Sequence, residues 1–251
     1  MKIAVLLPGL VRTWKSTFED FSANLINPNQ EKHQIDIYLA FWEKTDQKRN
    51  MRKGRREGEN ENIQPLSGEI IEEIIDSYRP KKYSILNDYD GKNKFFQEKG
   101  LLLEQSIGVP HHPEPKMLFA NSVMAQSYVW NKCFSLISED YDLIVKTRFD
   151  VTYGKPIIFD QMDPSLFNNF GKSGGKQDRR CSPSRVADLL FASNFKTMKR
   201  VMLNYHIDAI NIRLPETAKQ KPRFNENILY NYIKHYNIKI AKPQYILNLK
   251  R

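Results

Sequence analysis

Residues Ile3 to Leu7 form an unbroken apolar run that stops at Pro8-Gly9. A strand with one wet face alternates apolar and polar residues, so a run apolar at every position belongs to a strand covered on both sides. Such a chain must place layers above and below a sheet, and the remaining sequence supplies them. Ile35 to Trp42, Tyr83 to Leu86 and Asp142 to Thr147 read as further strands, joined later by Ile157 to Phe159, Asp188 to Ala192 and a closing strand near Ile238 to Ala241. Helical patterns lie between them. Ser16 and Glu19 have the spacing of a capping box ahead of a helix carrying Phe18, Phe21, Ala23, Leu25 and Ile26. Ser67 caps a second helix in which Ile70, Ile71, Ile74, Ile75 and Tyr78 share one face. Lys116 to Ile137 reads as a long helix under the sheet, and Phe195 to Tyr205 and Asn225 to Tyr236 as two more. Strands alternating with helices predict an α/β domain with a mainly parallel central sheet flanked by helices, and ligands beyond the carboxyl ends of its strands.

A chain of 251 residues, 40% hydrophobic and 12% aromatic, suffices for one sizeable core and is too apolar to be disordered. We read one domain over 1–251, interrupted by polar insertions expected to be mobile at about 44–64, 88–115 and 171–185. The first carries seven Lys/Arg against four Asp/Glu, and the third five against one. With a net charge of +10 the chain favours anionic partners, without saying which. Cys133, in an apolar helical stretch, and Cys181, in a basic loop, are too few and too unlike in setting for a disulfide framework. A cytoplasmic protein is expected, and since no apolar stretch reaches spanning length, any membrane contact should be peripheral.

The run Tyr141 to Asp150, Tyr-Asp-Leu-Ile-Val-Lys-Thr-Arg-Phe-Asp, sets charged groups just past the end of a buried strand. Asp150 there suits a divalent cation that grips a diphosphate, or a sugar hydroxyl taken directly. Arg148 suits phosphate oxygens through its planar fork of donors. A plain strand-end salt bridge explains the same residues equally well. His206 with Asp208, and His111-His112, show no convincing metal-ligand spacing.

Several blocks together resemble the GT-A-like glycosyltransferases of bacterial and viral surface-glycan pathways. They are Leu6 to Thr13 with its Gly turn and Arg12, the strand Ile35 to Trp42, Tyr141 to Asp150 at the Asp-x-Asp position, Asp188 to Ser193 with Met198, and Phe224 to Leu229. The blocks span nearly the whole chain in the expected order. One departs from the family pattern, because Arg148 replaces the first Asp of Asp-x-Asp.

The resemblance implies a single Rossmann-related GT-A domain that moves a sugar from a nucleoside-diphosphate sugar to a hydroxyl of a glycan acceptor. It implies donor contacts at Pro8, Gly9, Arg12, Arg148 and Asp150, and a manganese or magnesium ion at Asp150 unless Arg148 does that electrostatic work. Asp188 and Glu226 are the candidates for removing the acceptor proton. Asp188 reads equally as an acceptor of sugar hydroxyls, and Glu226 as a carboxylate stabilised at a helix N-terminus. Two rivals stand beside this. One is a nucleic-acid-binding protein using the basic insertions on phosphates, although no binding module is recognisable and no nucleic-acid partner is expected. The other is a degenerate transferase that binds sugar nucleotide without turnover.

Overall fold

A computed structural model describes residues 1–11, 13–43, 65–87, 126–172, 186–205, 225–242 and 244–249. The insertion 44–64, all of 88–115 and most of 171–185 lie outside them, as do residues 116–125 of the expected long helix and Arg12, Cys181, His111, His112, His206 and Asp208. In chain order the elements are β1 (Lys2–Gly9), α1 (Trp14–Phe21), β2 (Gln34–Trp42), α2 (Gly68–Tyr78) and β3 (Lys82–Leu86). Helix α3 (126–134), β4 (Leu143–Lys146), β5 (Val151–Tyr153), β6 (Asn168–Lys172) and β7 (Leu190–Ser193) follow. The last are α4 (Phe195–Lys199), α5 (Asn225–His235) and β8 (Gln244–Leu249).

All eight strands form one sheet in the order β3-β2-β1-β4-β7-β6-β8-β5. The half β3-β2-β1-β4 is parallel throughout, and β6 pairs with β8 in parallel. Strands β4 with β7, β6 with β7, and β5 with β8 are antiparallel. The expectation of parallel strands therefore holds for the first half, which has the 3-2-1-4 order of one half of a Rossmann-like sheet. The second half is mixed.

Period-two alternation divides the core. Ala4 and Leu6 of β1, Tyr38 and Ala40 of β2, Ile144 of β4 and Phe191 of β7 face one layer, built from Trp130 and Phe134 of α3, Met198 of α4, and Tyr232 and Ile233 of α5. Ile3, Val5 and Leu7, Leu39 and Phe41, Leu143 and Val145, and Leu190 and Ala192 face the other, formed by Trp14 and Phe21 of α1 and Ile74 and Tyr78 of α2. Both faces of β1 are covered, as its unbroken apolar run requires. Among the described residues no helix is long and apolar enough to cross a membrane.

Three local expectations change. Helix α1 begins at Trp14, so Ser16 lies inside it and its hydroxyl donates to the Thr13 carbonyl at 3.0 Å instead of capping. Burial of Trp14 beside the Tyr78 ring, 6.5 Å away, favours that earlier start. Ile157 to Phe159 is not a strand. Its backbone groups are taken by asparagine and helix partners: Ile157 N donates to Asn24 O at 2.8 Å, Asn29 Nδ2 to Ile157 O at 2.7 Å, and Phe159 N to Asn29 Oδ1 at 2.8 Å. The closing strand lies later, in β8, and Ile238 to Ala241 contributes only a bridge between Ile240 and Phe167. Ser67 does cap α2, accepting from Ile70 N at 3.3 Å.

Helices α1 and α4 each run on into a π-helical turn, over Ser22–Ile26 and Arg200–Asn204. At the amino ends of β1, β2 and β4 a polar cluster ties the strands together. Lys2 pairs with Glu139 at 2.6 Å, Lys81 with Asp36 at 2.8 Å and also with Glu139, and the Tyr141 hydroxyl donates to Asp36 at 2.6 Å. Its cations, Lys2 first, hold the Glu139 carboxyl down at about 2.

Between two charged neighbours, the Phe149 ring enters the α1/α2 layer, edge-on to Phe41 at 6.1 Å and Tyr78 at 5.4 Å. Phe149→Ala should therefore cost about 3 to 5 kcal/mol, as for a fully buried ring. Urea unfolding reads this as a lower midpoint at unchanged slope, and a loss below about 1 kcal/mol would show that the junction is not anchored by that ring.

Candidate functional site

A parallel sheet holds ligands where neighbouring strands lead off in opposite directions, beyond their carboxyl ends. Here that place is between β1 and β4, whose neighbours β2 and β7 lie on opposite sides. The register pairs Leu6 with Lys146, and Thr147 N continues it by donating to Leu6 O at 2.9 Å. Pro8-Gly9 and Arg148-Phe149-Asp150 thus leave the same end of two adjacent strands. Gly9 ends β1 at φ 147°, a conformation L side chains rarely adopt, so glycine is needed where the chain turns off the sheet.

Asp188 joins this end because β7 runs antiparallel to β4, with Lys146 opposite Phe191. The residues just before β7 therefore meet those just after β4. Arg148 is gripped from both sides. Its Nε and Nη2 donate to Asp150 Oδ1 and Oδ2, each at 2.8 Å, and its Nη1 donates to Asp188 Oδ2 at 3.3 Å. Gln126, at the described start of α3, donates through Nε2 to the same Asp188 oxygen at 2.6 Å. The Asp150 and Asp188 side chains are 7% and 13% exposed and that of Arg148 24%, so solvent reaches the cation more readily than its partners.

Backbone geometry holds the junction in place. Thr147 Oγ1 and the Tyr153 hydroxyl are 2.8 Å apart, and the Thr17 hydroxyl of α1 donates to the Phe149 carbonyl. Tyr153 N donates to Asp20 Oδ2 at 2.6 Å, binding β5 to α1. The turn that carries Arg148 and Asp150 is thereby fixed to α1 and β5 at once.

Lys146 and Gln126 were not singled out from the sequence. Lys146 shares the parity of Ile144, so in a strand buried on both faces its side chain must enter the core, and a lysine there is the signal that was missed. It is fully buried. Its Nζ donates to the Asp188 carbonyl and lies 4.8 Å and 5.0 Å from the centroids of the Trp130 and Phe191 rings. Burial pushes the ammonium down to about 7; Arg148 adds to this, while Asp188, Asp150 and Cys133 oppose it. Burial alone would raise the Asp188 carboxyl, but the charges of Arg148 and Lys146 and the Gln126 amide outweigh it and hold the group below its ordinary value.

The structure thus brings together Arg148, Asp150 and Asp188 of the residues expected from sequence, with Pro8-Gly9 at the end of the neighbouring strand. Arg12 lies outside the described residues. Glu226 is in the first turn of α5, with its side chain outside them. Among the described residues no group of three or more His, Cys, Asp or Glu side chains is placed to hold a metal ion.

The fold and this end of the sheet define an α/β protein with a Rossmann-like half and a charged cluster at its switch point. The sequence matches no protein-family model, and no curated protein is significantly similar to it.

The folded state binds the Lys146 proton less tightly than the unfolded chain, where lysine has its ordinary value of 10.5. Between about pH 7 and 10.5 the unfolded state holds more protons, so this group makes stability rise with pH, by up to roughly 1.4 kcal/mol per pH unit. Urea unfolding of the wild type and Lys146→Met at about pH 7 and pH 9 should show the rise only in the wild type. An equal rise in both would assign it to another group.

Proposed function

We propose that this protein is a glycosyltransferase of GT-A form that moves a sugar from a nucleoside-diphosphate sugar to a hydroxyl of a glycan acceptor. The observation that supports it best is the convergence of Arg148, Asp150 and Asp188 at the β1/β4 switch point, the place where such sheets hold nucleotides. The order of the sequence blocks supports the same reading.

In this reading the acceptor oxygen attacks the anomeric carbon as the bond from that carbon to the diphosphate oxygen breaks. The nucleoside diphosphate leaves with the electron pair, and the acceptor proton passes to a carboxylate. Arg148 faces the diphosphate and stabilises its growing charge, and Asp150 orients the guanidinium edge-on. Pro8 and Gly9 let the backbone approach the donor, and Arg12 is assigned to the donor from the sequence alone. Asp188 has a lowered proton affinity and is bound to Arg148 and Gln126, so it acts on the guanidinium better than as a base. Glu226 is the carboxylate left for the acceptor proton.

A manganese or magnesium ion on Asp150 would have to compete with Arg148, which occupies both of its oxygens. The residues present fit a cation poorly, and we assign the diphosphate charge to Arg148. The protein would work in the cytoplasm, touching a membrane only peripherally where its acceptor is lipid-linked.

A thermal-shift screen against UDP-, GDP-, CMP- and dTDP-sugars, with and without manganese, tests the donor site. A true donor should stabilise the fold, adding about 1.4 kcal/mol per tenfold excess once saturating. No shift with any of them would remove the donor site, and donor binding without transfer or hydrolysis would favour the degenerate reading.

Asp150→Asn removes one ion pair of the cluster and should cost about 1 to 3 kcal/mol of stability, while turnover per folded molecule falls at least about a hundredfold. Arg148→Lys should also lose turnover, because an ammonium cannot donate along both oxygens of Asp150. A purely structural salt bridge predicts lowered melting temperatures with near-normal turnover in both variants.

A further inference from the structure

The cluster at the switch point does not balance its own charge. Among the described residues, two carboxylates, Asp150 and Asp188, bind one guanidinium, Arg148, and these three leave an excess of one negative charge. An arriving diphosphate would find that excess unfavourable unless another cation stood behind the cluster. Lys146 is placed there, its Nζ on the Asp188 carbonyl and its surroundings formed by Trp130 and Phe191. Because it is fully buried, it cannot touch a ligand, and its effect must pass through the residues in front of it.

We infer that Lys146 is a proton-linked counter-charge for the anion site, so that a diphosphate binding against Arg148 draws a proton from solvent onto the buried Nζ. The inference rests on the reading that Arg148 faces a diphosphate, and it adds a regulation of that site by pH.

Among the described residues, the charged and titratable groups that act on Nζ come from three parts of the fold. Arg148 and Asp150 come from the end of β4, Asp188 from the segment before β7, and Cys133 from α3. Without ligand, burial and Arg148 set the ammonium near half occupancy at neutral pH, against the pull of Asp188, Asp150 and Cys133. A further anion nearby favours the charged form. By linkage, whatever raises the proton affinity of Lys146 on binding must also make binding tighter as pH falls toward 7. Lys146 is thus a positioning residue whose charge, rather than its contacts, matters to the ligand.

Inorganic pyrophosphate is the probe, because it carries the diphosphate without committing to a base or a sugar. Calorimetric titration at about pH 8 in two buffers of different ionisation enthalpy counts the protons taken up, which should approach one per ligand in the wild type. Lys146→Arg stays charged at every accessible pH, so it should bind with no uptake beyond that of pyrophosphate itself. Relative to Lys146→Arg, the wild-type Kd should weaken by roughly tenfold per pH unit above about pH 7, the probe's own titration cancelling in the ratio. Lys146→Met should bind more weakly than the wild type at about pH 6, by a margin that shrinks as pH rises toward 9, and it carries the test if the arginine variant does not fold.

Proton uptake that stays as large in either variant as in the wild type, or a wild-type Kd that runs parallel to the variants across pH, would overturn the role of Lys146 and leave the donor site standing. Failure of pyrophosphate to bind any of the three proteins would overturn the donor site itself, and this inference with it.

Discussion

The parallel pairing of β1 with β4 is the contact on which the other features depend. Both strands are buried on both faces, so polar chemistry finds room only where they end, and the two ends lie side by side. Strand β2 extends the sheet on one side in parallel, while β7 extends it on the other in the opposite sense. That reversal delivers Asp188 to the end of β4. The cluster of Arg148, Asp150 and Asp188 is thus a product of strand direction, and its members need not be close in sequence.

The parts of the fold legible in sequence were those where hydrophobic pattern alone decides. β1, β2, β4 and α2 have long or strictly periodic apolar faces, and each lies within a residue or two of its expected position. β5, β6 and β8 did not show. β5 has three residues, and β6 runs Asn-Asn-Phe-Gly-Lys, whose two asparagines look like loop until their amides are seen bonding to Asp163, Leu166 and Ala187. Antiparallel strands this short owe their pairing to neighbours far along the chain, which no local window contains.

The same division holds at the site. Arg148 and Asp150 were legible because they follow a buried run directly. The grip of Asp188 on Arg148 depends on β7 reversing direction, and the contact of Gln126 on the described start of α3 lying beside Asp188. Lys146 is the instructive case. Its position reads as part of a strand, and a strand covered on both faces demands an apolar side chain there, which its one lysine does not supply. A charge inside an apolar strand is a local inconsistency of the kind natural sequences keep where something depends on it.

The polar cluster at the far end of the same strands has a different consequence. Lys2 and Lys81 balance Asp36 and Glu139, so the cluster is neutral as a unit. Asp36 lies opposite Ala4 of β1 and Ala4 opposite Ile144 of β4, so only two residues of β4 separate the level of Asp36 from Lys146, and salt does not screen the core between them as it screens exposed charges. What keeps the pinned end from acting on the other is therefore its neutrality, not distance. Charge redesigned at the pinned end, for solubility or attachment to a surface, must be changed in opposite pairs if the end that carries Arg148 is to keep its tuning.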